Sequence, residues 1–357
     1  MARRRGFTLV EVLVVMSLLG VLMGLSIGLI ANAQTGNKLL VATNSLASQI
    51  ASARAQSFGS NTAYVLVRTT PEGKTSFRNY RDTQVLAWPA EDFAKASENV
   101  IRRAGGVEIS TDTDIEGRYA IFQGGTVELG DPPWLDFLDG FTIQCRLRPD
   151  ARAGPLFAKG DVLAVNLMQG SGGRLGLSAK IRLQKDERGQ GEGFCDLRTG
   201  AREADTVPEW AAPLLPGRWH DVRIAYDRNT FTIHVDGRLR AIRSDRRNRM
   251  VLNDASFVIG GGYGGGFDSL VISGIFESDD NRFDCPDVIR HMTPKGEVAA
   301  GDLLIHFRNR SLDPQYHPAP VRVLLEMDQG AGKPGIGRVV LVSLSGESFV
   351  RRPEEVR

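Results

Sequence analysis

The feature that most constrains this chain is a run of twenty uncharged residues, Val12 to Ala31, near its amino terminus. At ~1.5 Å per residue, a helix of ~20 apolar residues covers the ~30 Å hydrocarbon core of a bilayer. Arg3, Arg4 and Arg5 precede the run and mark its cytoplasmic end by the positive-inside rule. The sequence therefore predicts a membrane helix with the rest of the chain on the far side.

A single carboxylate, Glu11, immediately precedes the uncharged run. An ionisable residue within a membrane segment is costly and tends to be kept for a pairing function. The alternative is an interfacial residue that reaches water by snorkelling. An ordinary secretory signal fits poorly, because the apolar run is long and its polar residue lies at the front.

The residues around Glu11 form a second pattern, a basic leader that ends in glycine followed by FTLVE. This pattern resembles the leader of type IV pilins and type II secretion pseudopilins. The resemblance implies that a prepilin peptidase cuts after Gly6, that Phe7 becomes an N-methylated amino terminus, and that Glu11 is the assembly carboxylate. Its partner would be the cationic amino terminus of a neighbouring subunit, or of Phe7 itself. Other pseudopilins and inner-membrane lipid are the further partners that the resemblance implies.

The segment after the apolar run continues the helical pattern. Apolar residues recur at helical spacing at Leu39, Leu40, Leu46, Ile50 and Ala53. The tripeptide GSN then ends the predicted helix, and TAYVLVRTT, the turn PEGK and a strand around TSFRNYR follow. The stretch 46–67 resembles the H-type minor pseudopilins and their FimT-like relatives, whose helix packs on an antiparallel sheet.

The end of the chain reads as three strands with polar turns between them. They run from Leu303 to Phe307, from Val321 to Met327 and from Gly337 to Gly346, and they resemble the C-terminal meander of the H-type pseudopilins. Three strands alone would be unstable, so we expect them to complete the first sheet. The alternative is a pilin stub followed by a second domain and a short tail.

The middle of the chain consists of many short apolar runs between turns, which is typical of a sandwich or jelly roll. The passage PGRWHDVRIAYD, followed by FTIHVDGR, has the period-two alternation of a hairpin that covers a core. It resembles the laminin-G-like, concanavalin-like jelly roll, and SFVIGGGYGGGFDSLVISGIF resembles the last repeat of that family. The signature residues of this resemblance are Trp219, His220, Tyr226, Asp227, Asp236 and Gly237.

These patterns predict an α+β chain with a long N-terminal helix, transmembrane and then amphipathic, packed on an antiparallel pilin sheet, plus an all-β jelly-roll sandwich. The predicted segments are a prepilin leader at 1–6, a transmembrane helix at 7–31, an amphipathic continuation at 32–58, a pseudopilin sheet at 59–112 and 296–357, and a laminin-G-like jelly roll at 113–285.

Two sequence patterns resemble catalytic or cofactor-binding motifs, and each lacks a feature that the chemistry requires. Gly260, Gly262 and Gly265 match the dinucleotide fingerprint G-x-G-x-x-G, but a strand follows them and no helix terminus is available for a phosphate. A row of carboxylates approaches the spacing of concanavalin-like glycosidases, but Pro208 interrupts it. Its members are Glu203, Asp205 and Glu209. We therefore expect no enzyme, with a glycan hydrolase as an alternative.

The sequence predicts no cofactor, and calcium stays open. Relatives of the jelly roll often hold calcium in rim loops, and the candidate oxygen ligands are Asp161, Asp227, Asp236 and Asp268, each of which also suits a turn. His220 and His234 are predicted to point to opposite faces of their hairpin, which argues against a shared metal. We expect a buried, hydrogen-bonded His220 and a surface His234.

Charge and cysteine content narrow the partners. A net charge of +2 gives no field that commits the whole chain to nucleic acid, so nucleic acid is not an expected partner. Local arginines leave two alternatives, a patch for anions and a DNA-binding tail; the patch comprises Arg240, Arg243, Arg246, Arg247 and Arg249, and the tail Arg308, Arg310, Arg351 and Arg352. The three cysteines have no C-x-x-C spacing, and their odd number leaves at least one unpaired in a monomer.

The favoured function is a minor pseudopilin or prepilin of a type II secretion or type IV pilus-like machine in a bacterial inner membrane. Its N-terminus would be cytoplasmic, and its jelly roll, displayed in the periplasm or on a filament, would contact a glycan or a secreted protein. The alternative is a membrane-anchored lectin or adhesin, in which the helix is only an anchor.

Overall fold

The structure is a computed structural model, and it describes residues 9–58, 62–91, 103–111, 117–169, 173–185, 191–199, 213–228, 230–245, 247, 249–278, 282–293, 297–298, 302–314, 316–328 and 335–356. The side chains of residues 11, 24–33, 103–104 and 356 lie outside this description. The chain divides into two compact units. The helical unit comprises Met1–Arg81 and Ser278–Arg357, and the sandwich unit comprises Asp82–Glu277.

The elements in chain order are α1 (Leu9–Gln56), β1 (Thr62–Thr69), β2 (Thr75–Trp88), β3 (Arg103–Thr111), β4 (Arg118–Gly130), β5 (Phe141–Pro149), β6 (Gly154–Lys159), β7 (Leu163–Gln169), β8 (Leu175–Leu183), β9 (Gly193–Arg198), β10 (His220–Tyr226), β11 (Thr230–Val235), β12 (Arg238–Ser244), β13 (Phe257–Gly260), β14 (Gly264–Glu277), β15 (Phe283–Asp284), β16 (Ile289–Met292), β17 (Leu303–Arg308), β18 (Ser311–Leu312), β19 (Val321–Met327), β20 (Ile336–Val342) and β21 (Ser348–Arg351).

In the helical unit, the second half of α1 packs on strands through one apolar stripe. The stripe has spacings of three and four residues, which place its members on one helix face. Its fully buried members are Leu39, Ala42, Leu46, Ile50 and Ala53. Of the apolar residues noted at helical spacing in the sequence, Leu40 lies beside the stripe and is 36% exposed.

Two antiparallel sheets complete the helical unit. In the first, β17, β1, β2 and β15 lie side by side, and β18 pairs with β17. In the second, the order is β16, β19, β20 and β21. The prediction that all three C-terminal strands complete the first sheet is therefore wrong for two of them. Only β17 joins it, and β19 and β20 pair with each other.

The sandwich unit has two sheets around one apolar core. One sheet has the order β3, β4, β14, β5, β10, β11 and β12. The other has the order β4, β13, β6, β7, β8 and β9. Strand β4 belongs to both, because Gln123 pairs with β14 whereas Thr126 pairs with β13. Gly124, with φ +83°, and Gly125 lie at this crossing.

The unit boundaries differ from the predicted domain boundaries of 112/113 and 285/296. The sandwich unit starts at Asp82 and ends at Glu277. The physical reason is that β3, assigned in the sequence to the pilin sheet, pairs along its length with β4. The helical unit is built from both ends of the chain, with the sandwich unit inserted between them.

Candidate binding face and assembly segment

The three residues predicted for processing and assembly lie at the amino terminus. Gly6 and Phe7 fall outside the described residues, and the backbone of Glu11 lies in the first turns of α1. Among the residues that the structure describes, no helix is both long enough and apolar enough to cross a membrane.

The six jelly-roll signature residues lie on or beside the β10–β11 hairpin, at its two ends. Trp219 precedes β10 and His220 begins it, and Asp236 and Gly237 follow β11 at the same end of the hairpin, where His220 contacts Asp236. Tyr226 and Asp227 stand at the other end, where Tyr226 pairs with Phe231. A strand of seven residues at ~3.3 Å per residue separates the two groups by about 20 Å. The hairpin therefore does not bring all six residues into one site.

His220 and Asp236 form a hydrogen-bonded pair that joins the two strands at the open end of the hairpin. Nε2 of the buried His220 accepts the backbone N–H of Leu215 at 2.9 Å, so Nδ1 carries the proton and lies 2.9 Å from Asp236 Oδ2. The other carboxylate oxygen of Asp236 accepts the N–H of Asp221 at 3.0 Å. Both ring nitrogens of His220 and both carboxylate oxygens of Asp236 have a hydrogen-bond partner, and such bonds stabilise a buried imidazole. These two residues hold the hairpin rather than a ligand.

The far end of the hairpin is also structural. Tyr226 is fully buried, and burial raises its pKa well above the ordinary value. Asp227 accepts the backbone N–H of Thr230 at 2.8 Å and so closes the turn between the two strands. Tyr226 and Asp227 therefore shape the fold and are not available to a ligand.

Trp219 is different, because it lies on the sheet face that points away from the core. Here it joins a group that we call the ring–arginine patch, formed by Tyr119, Arg146, Arg148 and Trp219. The rings of Tyr119 and Trp219 meet edge to face with centroids 5.3 Å apart. The guanidinium groups of Arg146 and Arg148 lie 5.7 and 5.3 Å from the Trp219 centroid. Such cation–π contacts fix the positions of the arginine side chains.

Strand alternation explains why these residues share a face. In β5, Cys145 and Leu147 are buried in the core, so Arg146 and Arg148 point to the other side. Gly266 of β14 lies beneath the rings, since a Cβ at this position would lie 2.9 Å from Trp219 Cη2 and 3.0 Å from Tyr119 Cε2. The patch is therefore built from β4, β5 and β14, together with Trp219, the residue before β10.

Acidic residues flank the patch. Asp221 and Asp268 are the cross-strand neighbours of Arg146 on its two sides, and Asp221 lies 3.9 Å from it. Burial raises the pKa of Asp268, and hydrogen bonds from Ser269 and the charge of Arg146 counteract this. The face therefore offers a partly exposed indole, guanidinium donors and carboxylate acceptors side by side.

Other residues singled out in the sequence have other roles. The arginine patch expected at 240–249 is partly neutralised: Arg247 pairs with Asp245 at 2.7 Å and Arg249 with Asp139 at 3.2 Å, while Arg246 lies outside the described residues. The carboxylates of 203–209 also lie outside them.

The four candidate calcium ligands do not form one set. Asp161 pairs with Arg182, Asp227 and Asp236 belong to the hairpin, and Asp268 lies beside Arg146. Among the described side chains, no group of three or more histidine, cysteine or acidic residues is placed to hold a metal.

The three cysteines are buried thiols without a disulfide. Burial raises the pKa of Cys195 to about 11 and that of Cys285 to about 12, and it also raises the pKa of Cys145. A thiol with a raised pKa is a poor nucleophile at neutral pH. The cysteines therefore serve packing.

Two family models match this chain. The prokaryotic N-terminal methylation motif matches residues 1–27, and the concanavalin A-like lectin/glucanases superfamily matches residues 123–271. The chain thus carries a type IV pilin-type signal and a concanavalin-like domain. No curated protein matches it in sequence.

Two solved structures resemble the chain at low sequence identity. Domain 4 of AbnA, an extracellular arabinanase from Geobacillus stearothermophilus, in complex with arabinotriose, is 14% identical over 54% of this chain and 93% of that chain, with a TM-score of 0.38. The binding domain of Paraclostridial Mosquitocidal Protein 1 is 12% identical over 72% and 75%, with a TM-score of 0.39. At such scores neither likeness carries an argument about function.

Proposed function

We propose that this protein is a minor pilin-like subunit of a type II secretion or type IV pilus-like machine, and that its sandwich unit contacts a glycan or a secreted protein. The observation that carries the proposal is the complete leader pattern, which the methylation motif also covers at residues 1–27. It stands directly before an apolar segment that begins a 48-residue helix. No enzymatic activity is part of the proposal.

The architecture supports assembly rather than simple anchoring. The second half of α1 belongs to the core of the helical unit, so the helix is a structural part of the displayed body. Exposed apolar side chains cover the described part of its first half, from Leu9 to Met23. In a single-pass inner-membrane protein with a cytoplasmic N-terminus, this half would lie in lipid before assembly and against neighbouring helices afterwards. Glu11 would be neutralised there by an amino terminus.

Amino-terminal processing tests this proposal directly. The membrane-extracted protein is expected to lack its first six residues and to carry one extra methyl group on Phe7, as read by intact mass and amino-terminal sequencing. Glu11→Ala is expected to lower incorporation into the assembled pseudopilus at least tenfold, because a lost charge pair in lipid has no substitute. Cross-linking of assembled subunits measures this.

Ser17→Ala is the matched control, because it removes a polar atom of the same helix that only bonds the Val14 carbonyl at 2.8 Å. A mature chain that still begins with its arginines would refute the proposal. Normal incorporation of the Glu11 variant would instead favour the alternative, a lectin whose helix is only an anchor.

Within this proposal, the ring–arginine patch is the face that we assign to glycan contact. The apolar face of a sugar ring packs on an indole, and guanidinium groups donate to hydroxyl or carboxylate oxygens. Rigid aromatic and arginine side chains on strands give such a face its preorganisation. The match to the lectin and glucanase superfamily supports this choice.

Trp219→Ala is expected to weaken binding to immobilised polysaccharides by about 30-fold, since a central aromatic contact contributes about 2 kcal/mol. Neutral and uronic-acid polysaccharides are compared on one surface, by surface plasmon resonance. Phe349→Ala is the control: it removes a 40%-exposed ring of the helical unit and is expected to leave polysaccharide binding unchanged. If both variants bind as the unchanged chain does, the patch is not the glycan site.

A further inference from the structure

An ammonium group enclosed by oxygen atoms lies at the end of β6, an inner strand of the sandwich unit. Lys159 ends β6, and its side chain is only 4% exposed. Its Nζ donates to Asp131 Oδ1 at 2.6 Å, to the Asn253 carbonyl at 2.9 Å and to the Ala255 carbonyl at 3.2 Å. Asn253 Oδ1 and Asp136 Oδ1 follow at 3.4 and 3.7 Å. We call these five oxygen atoms the oxygen cage.

The cage is shaped by the backbone around it. The turn Pro133–Leu135 brings the two carboxylates of Asp131 and Asp136 to the same side of the ammonium. Gly160 has φ +51°, and a Cβ there would lie 2.8 Å from Ala255 Cβ and clash with the Asn253 amide. Glycine therefore allows the 253–255 segment to close on Lys159.

The oxygen cage has more acceptors than an ammonium has hydrogens. Five oxygens face three N–H bonds, and two of the oxygens belong to carboxylates that one positive charge only half neutralises. Carboxylate, amide and backbone carbonyl oxygens are the ligands of Ca²⁺, which takes six to eight of them at about 2.3–2.6 Å. A cavity of about 10 Å³, lined mostly by apolar side chains, lies beside Lys159, Asp136 and Asn253, and its volume is about that of one water molecule.

We propose that the Lys159 ammonium is a built-in substitute for a divalent metal ion at the end of β6. The chain supplies its own cation, so the sandwich unit folds without calcium. Removing the side chain leaves two carboxylates and three further oxygens around a vacated volume, and this converts the oxygen cage into a calcium site. The inference does not depend on the assembly or glycan proposals, because it concerns only the stability of the sandwich unit.

Thermal unfolding of the full-length chain in detergent tests this, followed by tryptophan fluorescence in EDTA and in millimolar CaCl₂. The unchanged chain is expected to unfold at one temperature in both buffers. Lys159→Ala is expected to unfold about 10 °C lower in EDTA, because a buried charge network has lost its centre, and to recover at least half of that loss in calcium. Calcium is also expected to raise the unfolding temperature in a saturable manner.

Two controls separate a metal site from general salt effects. Lys159→Met fills the cage with an apolar chain of similar length, so it is expected to lose stability without a calcium response. Asp131→Asn added to Lys159→Ala removes one carboxylate and is expected to weaken apparent calcium affinity at least tenfold. A Lys159→Ala chain that unfolds identically in both buffers, or that fails to fold in either, overturns the proposal. An EDTA-sensitive unchanged chain also overturns it.

Discussion

Asp139→Ala is expected to destabilise the sandwich unit by about 3–5 kcal/mol, the range for breaking a buried ion pair on one side. Asp139 accepts from Arg228 Nη1 at 2.5 Å and from Arg249 Nε at 3.2 Å. Arg228 is 1% exposed, so removal of the Asp139 carboxylate takes one ion-pair partner from a guanidinium charge inside the protein. Arginine does not escape this cost by losing its proton. Urea unfolding measures the change in free energy.

Tryptophan fluorescence is the suitable probe, because the described tryptophans, Trp88, Trp134 and Trp219, all belong to the sandwich unit. Asp221→Ala is the matched control, since this carboxylate is 78% exposed and lies 3.9 Å from Arg146. Its loss is expected to cost less than about 1 kcal/mol. Equal losses of unfolding free energy in the two variants would contradict the prediction, because they would show that burial does not make the Asp139 ion pair more stabilising than an exposed one.

Acidification is expected to destabilise the helical unit between pH 6.5 and pH 4. Burial lowers the pKa of His291 from 6.5 to about 4, and the charge of Asp302 only partly offsets this. Burial and the charge of His306 likewise lower the pKa of His317 to about 4. In this range the unfolded chain binds protons that the folded chain does not, so the free energy of unfolding falls as the pH falls and the loss is complete near pH 4.

For His291, which is 2% exposed, the loss amounts to about 3 kcal/mol, and for the half-buried His317 it is smaller because solvent screens the charge. Nδ1 of His291 lies 2.5 Å from Thr69 Oγ1, and Nε2 of His317 accepts the backbone N–H of His306 at 2.9 Å. Protonation of Nε2 would break that second hydrogen bond. Both histidines thus favour the neutral form.

Hydrogen exchange with mass spectrometry measures this, because it reports on each unit separately. Peptides of β1, β16 and β17 are expected to lose protection between pH 6.5 and 4, after correction for the intrinsic exchange rate. His291→Gln is expected to flatten part of this dependence, whereas His234→Gln in the sandwich unit is expected to leave it unchanged. Protection in the helical unit that does not vary with pH would contradict the prediction.

Local sequence patterns predicted most strands of the sandwich unit. The alternation in β10 and β11 placed Val222, Ile224 and Ile233 on one face, and all three are buried in the core. His220 is buried and hydrogen-bonded as predicted, while His234 lies partly buried on the opposite face. Alternation has a period of two residues, so the sequence of a single strand is long enough to show which side chains share a face.

Pairing between distant strands was not predictable in the same way. β3 looks like a continuation of the early strands, yet its partner is β4, and this shifts the domain boundary. β19 and β20 were grouped in the sequence with β17, yet they form a separate sheet. Alternation indicates which face of a strand is apolar, but it does not indicate which other strand will pair with it.

Patterns of neighbouring residues were enough to identify the amino-terminal signal, the apolar segment that follows it and the short strands of the jelly roll. The folded chain was needed to find the contacts of Trp219 with Tyr119 and two arginines, and those of Lys159 with oxygens from two separate segments. Those groups come from strands and turns far apart in the chain. Strand pairing brings them within hydrogen-bond or ring-contact distance, and no spacing in the sequence records that distance.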